Sequence, residues 1–239
     1  MKAEYVDHMG SDLSVVNAAR VSFDKVSMWG NTEAIAEAER LNSLFMEQRE
    51  IPEPELMDKD KSLIAFLAKH DHWTPFGHTA LTLRMAAPIP IRTQCFKHKV
   101  GFVENEESRR YISSLPEIFF PDWRQSTSDK KQGSGGLVDD RTEEIATEIY
   151  AISTQVAIDA YEDLLAHGIC EEQARFALPQ GAVVNWIWTG NLMSFANFYN
   201  KRAAKDAQGE IQELAKAVGE IIQPLYPVAW AALTSKAHK

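Results

Sequence analysis

The sequence predicts a single α+β domain over residues 1–239, and three observations lead there. Segments with helical spacing clearly outnumber strand-like ones. There are no internal repeats, and the one low-complexity stretch, Ser126 to Gly136, reads as a surface loop rather than a linker. Apolar residues make up 45% and charged residues 25% of the chain, ordinary globular values that exclude a disordered, collagen-like or disulfide-scaffold protein. The length of 239 residues allows one large domain or two small ones at ~150 residues each, and suffices for a sizeable core.

Lys2 to Met9 reads as a strand ended by Gly10, after which Asp12 is placed to cap a helix running through Arg20. Asn31 to Arg49 is an alanine- and glutamate-rich helix closed by Pro52 and Pro54, and Lys61 to His70 is an amphipathic one. His78 to Met85 has strand character. Pro88 and Pro90 interrupt it and start a helix from Ile91 to about Lys99, with Val100 to Glu107 looping back. A long helix spans Asp139 to His167 and ends at Gly168. Ala182 to Thr189 is a strand, Asn191 to Arg202 a helix, and Asp206 to Ile222 the last helix, before Pro224 and Pro227.

The net charge is 25 − 34 = −9, whereas a general nucleic-acid binder is more often basic, so any polyanion site is a local exception. Two cysteines, Cys95 and Cys170, fit a reducing cytosol. No apolar run reaches the ~18 residues of a membrane helix, and the first residues lack a signal peptide's apolar stretch. The expectation is a soluble, cytoplasmic protein with neither membrane nor nucleic-acid partner.

Lys97-His98-Lys99 followed by Ser108-Arg109-Arg110-Tyr111 places five basic groups within fourteen positions of an acidic chain. On a helix, Gln94, Lys97 and His98 share one face. An amide, an ammonium and an imidazole suit an anionic nucleotide, with Ser108 and Arg110 reaching the same anion. The alternative is a solvated patch neutralised by Glu104, Glu106 and Glu107. His70, His72 and His78 match no metal-site spacing and read as helix-end or core histidines. Cys95 lacks a histidine at diagnostic spacing and reads as an inert thiol. Ser194, Asn197 and Lys201 fall on one face of the Asn191 helix, and the amides of Asn197 and Asn200 either meet a heterocycle or cap loops. Arg202 lies toward the apolar side, where a guanidinium needs a partner or a ligand.

These pieces resemble the flavin-dependent thymidylate synthase family, whose signature is Arg-His-Arg, seven or eight residues, then Ser. Here it stands as Lys97-His98-Lys99, eight residues that include Asn105-Glu106, then Ser108, Arg110 and Tyr111. Further blocks occur in family order: Ala18-Ala19-Arg20-Val21-Ser22-Phe23, His72-Trp73-Thr74-Pro75-Phe76-Gly77-His78, Ala174-Arg175, Asn197-Phe198, Arg202-Ala203 and Ala207-Gln208-Gly209-Glu210-Ile211. The resemblance implies a helix-rich α+β fold around a small, mostly antiparallel sheet, assembled as a homotetramer with shared active sites. It implies a methyltransferase that makes dTMP from dUMP, with methylenetetrahydrofolate as carbon donor, FAD as hydride carrier and NADPH as reductant. No enzyme cysteine takes part and no metal is required. By position, dUMP falls to Gln94, Lys97, Glu107, Ser108, Arg110, Arg175 and Arg202. Arg202 stabilises the ionised uracil, and Ser108 positions substrate without acting as a nucleophile. FAD falls to Ser22, Thr74, Lys97, His98, Lys99, Asn105, Glu106, Asn191, Met193 and Asn197.

The chain departs from the family pattern in several places. Lys97 and Lys99 replace arginines, keeping charge but not the two-pronged geometry. Gly77 stands where many relatives carry glutamate, Leu192-Met193 where Ala-Arg is frequent, and Asp206 where histidine is common. These departures bear on FAD affinity and rate more than on ligand class. The competing readings are a methyltransferase using Cys95, a nucleotide- or RNA-binding protein using the Lys97 to Arg110 patch, and a flavin-binding but inactive relative.

Overall fold

The computed structural model describes residues 1–46, 49–127 and 134–235. The expected loop at Ser126 to Gly136 lies partly outside the described residues, as does part of the last turn expected for the Asn31 to Arg49 helix. In chain order the elements are β1 (Lys2–Met9), α1 (Asp12–Arg20), α2 (Thr32–Phe45), α3 (Asp58–Lys69), β2 (Ala80–Pro88), α4 (Ile89–Cys95), β3 (Phe102–Glu106), α5 (Asp140–Ala166), α6 (Glu171–Ala174), β4 (Val183–Gly190), α7 (Leu192–Arg202), α8 (Gly209–Ile222) and α9 (Pro227–Thr234). The four strands form one antiparallel sheet in the order β1-β2-β4-β3. The α+β expectation holds.

Alternation along β2 and β4 sends Leu81, Leu83, Met85, Trp186 and Trp188 to one face, where they are buried with Phe195 and Phe198 of α7 and Ile211, Leu214 and Val218 of α8. This face fixes where α7 lies, and therefore where Arg202 emerges.

Three elements differ from expectation for identifiable reasons. Helix α4 begins at Ile89 and ends at Cys95, not Lys99. Pro90 is tolerated in the first turn, and the chain must then reverse through Gly101 (φ +74°) to enter a strand. That strand, β3, replaces the expected loop. Its register is set by Phe102, which stacks on Trp188 at 4.2 Å between centroids. Glu104 and Glu106 hide the strand pattern, and each is neutralised, by Lys99 and by Arg92 respectively. Asp12 does not cap α1. Ser11 is the N-cap there, its backbone N–H donating to Ser14 Oγ at 3.0 Å. Asp12 is instead buried and accepts from the N–H groups of Val228 and Ala229 at 2.8 and 2.9 Å, capping α9, a helix the local sequence does not announce.

Candidate active site

Helix α7 is capped at its N-terminus by Asn191, whose Oδ1 accepts from Ser194 N at 2.9 Å, and delivers Arg202 in its last turn. The Arg202 guanidinium donates through Nε to His98 Nε2 at 3.0 Å and through its two terminal nitrogens to Gln94 Oε1 and Gln94 O, each at 3.4 Å. An accepting Nε2 requires a neutral imidazole with its proton on Nδ1. The environment enforces this: burial first, then the charges of Arg202 and Lys201, push the His98 pKa down to about 4. Gln94 Nε2 donates to Gln208 Oε1 at 2.7 Å, and Gln208 is the N-cap residue of α8. Among the described residues Arg202 has no carboxylate partner. It is a half-buried cation held by neutral groups. Cys95 is buried beside this cluster, and desolvation drives its thiol up to about 12.

A second group sits on the other side of α4, because Arg92 and Gln94 are about 200° apart around the helix. Arg92 pairs with Glu106 at 2.9 Å; burial raises the Glu106 pKa against the lowering by Arg92. Glu107 Oε2 accepts from Asn185 Nδ2 at 3.0 Å, while Glu107 Oε1 is buried without a partner. Glu107 and Arg175 line a cleft of about 280 Å³. Arg110 pairs with Glu172 at 2.8 Å, and Arg175 Nε donates to Glu172 O at 3.1 Å. Ser108 Oγ accepts from Arg110 N at 3.4 Å.

The third group lines a cleft of about 590 Å³ at the start of α7, with Asn191, Met193, Asn197, Asn200, Gly101 and Trp73 among its walls. Here Asn200 donates through Nδ2 to Leu233 O at 2.9 Å, and its Oδ1 is buried with no partner, an acceptor available to a bound molecule. Gly101 is needed: a Cβ there would collide with Ser194 Oγ and Asn191 Nδ2.

The residues singled out from sequence therefore fall into separate places. Gln94, His98 and Arg202 meet; Glu106, Glu107, Arg110 and Arg175 gather beyond α4; Asn191, Met193 and Asn197 share the larger cleft. Lys97 is exposed in the turn after α4 and does not share a helical face with Gln94. Lys99 is tied to Glu104 and lies over the Phe96 ring, 5.4 Å from its centroid. Asn105 points to the sheet face opposite the helices, opposite Ile187. Ser22 and Thr74 occupy short 3-10 turns, Val21–Phe23 and Thr74–His78, and do not line the cleft. Sequence reasoning gave no individual role to Gln208 or Trp73; for Asn200 it left open a heterocycle or a loop, and the structure has its Nδ2 on the Leu233 carbonyl with Oδ1 unpartnered. For Gln208 the only signal was its place in a family block, because its partner is 114 positions away. Among the described residues no cluster of three metal-ligating side chains occurs, and no helix is long and apolar enough to cross a membrane.

Helix α7 thus carries an amide-lined cleft at its start and a half-buried guanidinium on neutral supports in its last turn, an arrangement with the polar groups that an enzyme acting on an anionic heterocycle requires. The family model for thymidylate synthase complementing protein matches residues 4–228. A flavin-dependent thymidylate synthase from Thermosipho africanus is 33% identical over 98% of this chain and 91% of that protein. Another from Thermus thermophilus is 31% identical over 95% of this chain and 73% of that protein. Among solved structures, the UMP/dUMP methylase PolB from Streptomyces cacaoi, bound with 5-Br dUMP, superposes with a TM-score of 0.77 at 27% identity, covering 98% of this chain and 94% of that one. The chain belongs to the flavin-dependent thymidylate synthase (thymidylate synthase complementing protein) family.

Proposed function

We propose that this chain converts dUMP to dTMP, taking the carbon from methylenetetrahydrofolate, with FAD as hydride carrier, NADPH as reductant and no cysteine nucleophile. The observation that carries the reading is Arg202: a guanidinium fixed by His98 and Gln94 with no carboxylate among the described residues to neutralise it. The uracil C5 must become nucleophilic to attack an activated one-carbon unit, and it does so when the ring loses its N3 proton. A permanently charged, preoriented donor at the N3/O4 edge stabilises that anion without reorganising during the reaction. Gln94 holds the fork on one side. Neutral His98 holds it on the other and adds no competing positive charge. Arg110 and Arg175 take the phosphate, with Ser108 as a short hydroxyl donor and Glu107 Oε1 open to a ligand donor such as the ribose hydroxyl.

The residues fit a flavin. The cleft at α7 offers the Asn197 amide, the unpartnered Asn200 Oδ1 and the Trp73 indole, and Asn191 and Met193 form its wall. A flavin held by these residues would supply the hydride that completes the methyl group. Lys97, His98 and Lys99 immediately precede Val100 and Gly101 of the cleft wall and belong, in this reading, to the same cofactor. A homotetramer of single-domain subunits, with sites shared between copies, accounts for the separation of the Arg202 and Arg175 groups within one chain: the two halves would meet across copies.

The test is direct. The purified protein is loaded with FAD, freed of excess and scanned; retained flavin bands should bleach on anaerobic addition of NADPH and dUMP, and dTMP should form when methylenetetrahydrofolate is added. Retained flavin with no dTMP would mark an inactive relative, and strong RNA binding in place of dUMP binding would overturn the reading.

A further inference from the structure

Residues 123–125 run antiparallel to residues 135–138, with Gln125 N donating to Gly136 O at 2.9 Å, Gly135 N to Gln125 O at 2.8 Å and Val138 N to Trp123 O at 3.1 Å. Trp123 Nε1 ties this ribbon to α5 by donating to Thr147 Oγ1 at 3.0 Å. The ribbon holds Arg124 against the first turn of α8, so closely that a Cβ on Gly209 would collide with its guanidinium. Two adjoining clefts result, with Arg124 and Ser134 in the walls of both. The first, of about 470 Å³, also carries Asp122, Trp123, Gln208 and Glu210. The second, of about 360 Å³, carries Lys205, Lys216 and Glu213.

The two clefts ask for different things. In the second, three cations face one carboxylate on a chain of net charge −9, and among the described residues neither lysine has an ion-pair partner. Such a group suits an anion with several oxygens. In the first, Glu210 is only 8% exposed, yet its Oε2 has no hydrogen-bond partner. Arg124 Nη1 stands 3.7 Å from that oxygen, beyond hydrogen-bond reach. A buried acceptor left open in this way calls for a donor from outside. We propose that the two clefts together take the 2′-phosphoadenosine half of NADPH, a sugar whose phosphate stands next to a free hydroxyl. The 3′-hydroxyl donates to Glu210 Oε2, the 2′-phosphate lies among Arg124, Lys205 and Lys216, and the adenine meets the Trp123 indole. A nucleotide without that phosphate leaves the cations unanswered, and a free phosphate leaves Glu210 unanswered. Gln208 is shared with the catalytic group: its Oε1 accepts from Gln94 at 2.7 Å, and Gln94 in turn accepts from Arg202. The clefts therefore adjoin the place where the reducing half of the cofactor has to arrive.

This subsite rests on NADPH as the reductant, but its binding test needs no turnover. By calorimetry on the full chain, adenosine 2′,5′-bisphosphate should bind at least about tenfold tighter than adenosine 5′-monophosphate, the scale of a hydrogen bond to a charged group. Its 3′-deoxy analogue should bind about fivefold more weakly than the parent, for want of the hydroxyl that Glu210 accepts. Lys205 and Lys216 are exposed, so Lys205→Ala/Lys216→Ala leaves the core intact; it should shrink the tenfold preference to within about twofold. With the FAD-loaded protein, the same variant should raise the KM for NADPH about tenfold and the KM for NADH by less than about twofold, because NADH lacks the 2′-phosphate. Bisphosphate binding of this pattern without dTMP formation would fail the catalytic reading and leave the subsite standing. No preference for the 2′-phosphate, a preference that the lysine variant keeps, or equal binding of the 3′-deoxy analogue would each overturn the subsite. So would a raised KM for methylenetetrahydrofolate with that for NADPH unmoved, which would hand the cations to the folate's glutamate carboxylates.

Discussion

Two arginine groups flank α4, and they are held in opposite ways. Arg202 is half-buried, and its hydrogen bonds go to an imidazole, an amide oxygen and a carbonyl. Arg110 is exposed and bound to the Glu172 carboxylate, and Arg175 donates to the carbonyl of the same residue. Neutral partners orient a guanidinium without consuming its charge, whereas a carboxylate neutralises it and must be displaced by an incoming anion. The first arrangement suits a cation that acts on a developing charge. The second suits a phosphate clamp that exchanges one oxyanion for another in water, where such a pair contributes only about 0–1 kcal/mol.

Removing the unneutralised cation breaks this contrast most severely. Arg202→Ala should lower dTMP formation by about a thousandfold, the scale of a lost preorganised donor, while flavin binding survives. The same variant should raise the His98 pKa from about 4, followed by NMR titration of the imidazole. Because burial is the larger cause, the value should stay below the ordinary 6.5. A folded-state pKa below the unfolded one means that the unfolded chain binds the proton first. The His98 contribution to stability is therefore present above pH 6.5 and lost as the pH falls toward 4. An unchanged rate in Arg202→Ala would make the two arginine groups equivalent and remove the distinction.

The next effect is smaller and concerns how the fork is aimed. Gln208 accepts from Gln94 Nε2 and thereby turns Gln94 Oε1 toward Arg202. Gln208→Leu frees that amide to rotate, and one net hydrogen bond of about 1 kcal/mol corresponds to roughly a fivefold loss in kcat/KM for dUMP. The pH profile of kcat should keep its shape, because no titrating group is touched. Gln208→Glu retains an acceptor and should recover most of the loss, which a merely structural role for Gln208 would not explain.

On the clamp side, Glu172→Gln releases Arg110 from its ion pair. It should tighten dUMP binding two- to fivefold by calorimetry at low salt, an amount set by the weakness of exposed pairs, and the gain should shrink as salt rises. Weaker binding would show that Glu172 positions Arg110 instead of competing for it.

The same contrast explains what could be read in the chain beforehand. Elements whose apolar spacing is local, such as β1, β2, β4, α5 and α7, were legible to within a few residues. Strand β3 was not, because its inward positions hold Glu104 and Glu106, made tolerable only by Lys99 and Arg92. Helix α9 was not, because its N-terminal cap, Asp12, is supplied from 216 or more positions away. The oddity of Arg202 on an apolar face was visible in the sequence; that its partners are neutral was not, since Gln94 and His98 are brought to it only by the turn after α4. The shared face expected for Gln94, Lys97 and His98 fails for the same reason: the helix that would have aligned them ends at Cys95.

The smallest effect is expected nearest the centre of the site. Cys95 lies beside Arg202, and a cation would ordinarily promote a thiolate. Burial prevails over that attraction and the pKa stands at about 12, leaving about one thiol in 10⁵ ionised at pH 7. In the proposed mechanism, which relies on a preformed cation, a group so rarely in its nucleophilic form has no part to play. Cys95→Ser should therefore leave kcat within about twofold. The cost should appear in stability, because the new hydroxyl enters a fully buried position and desolvating it is worth about 1–3 kcal/mol, read as a lower Tm. Loss of turnover with an unchanged Tm would reverse both statements and hand the chemistry to the thiol, making Arg202 its activator instead of the uracil's.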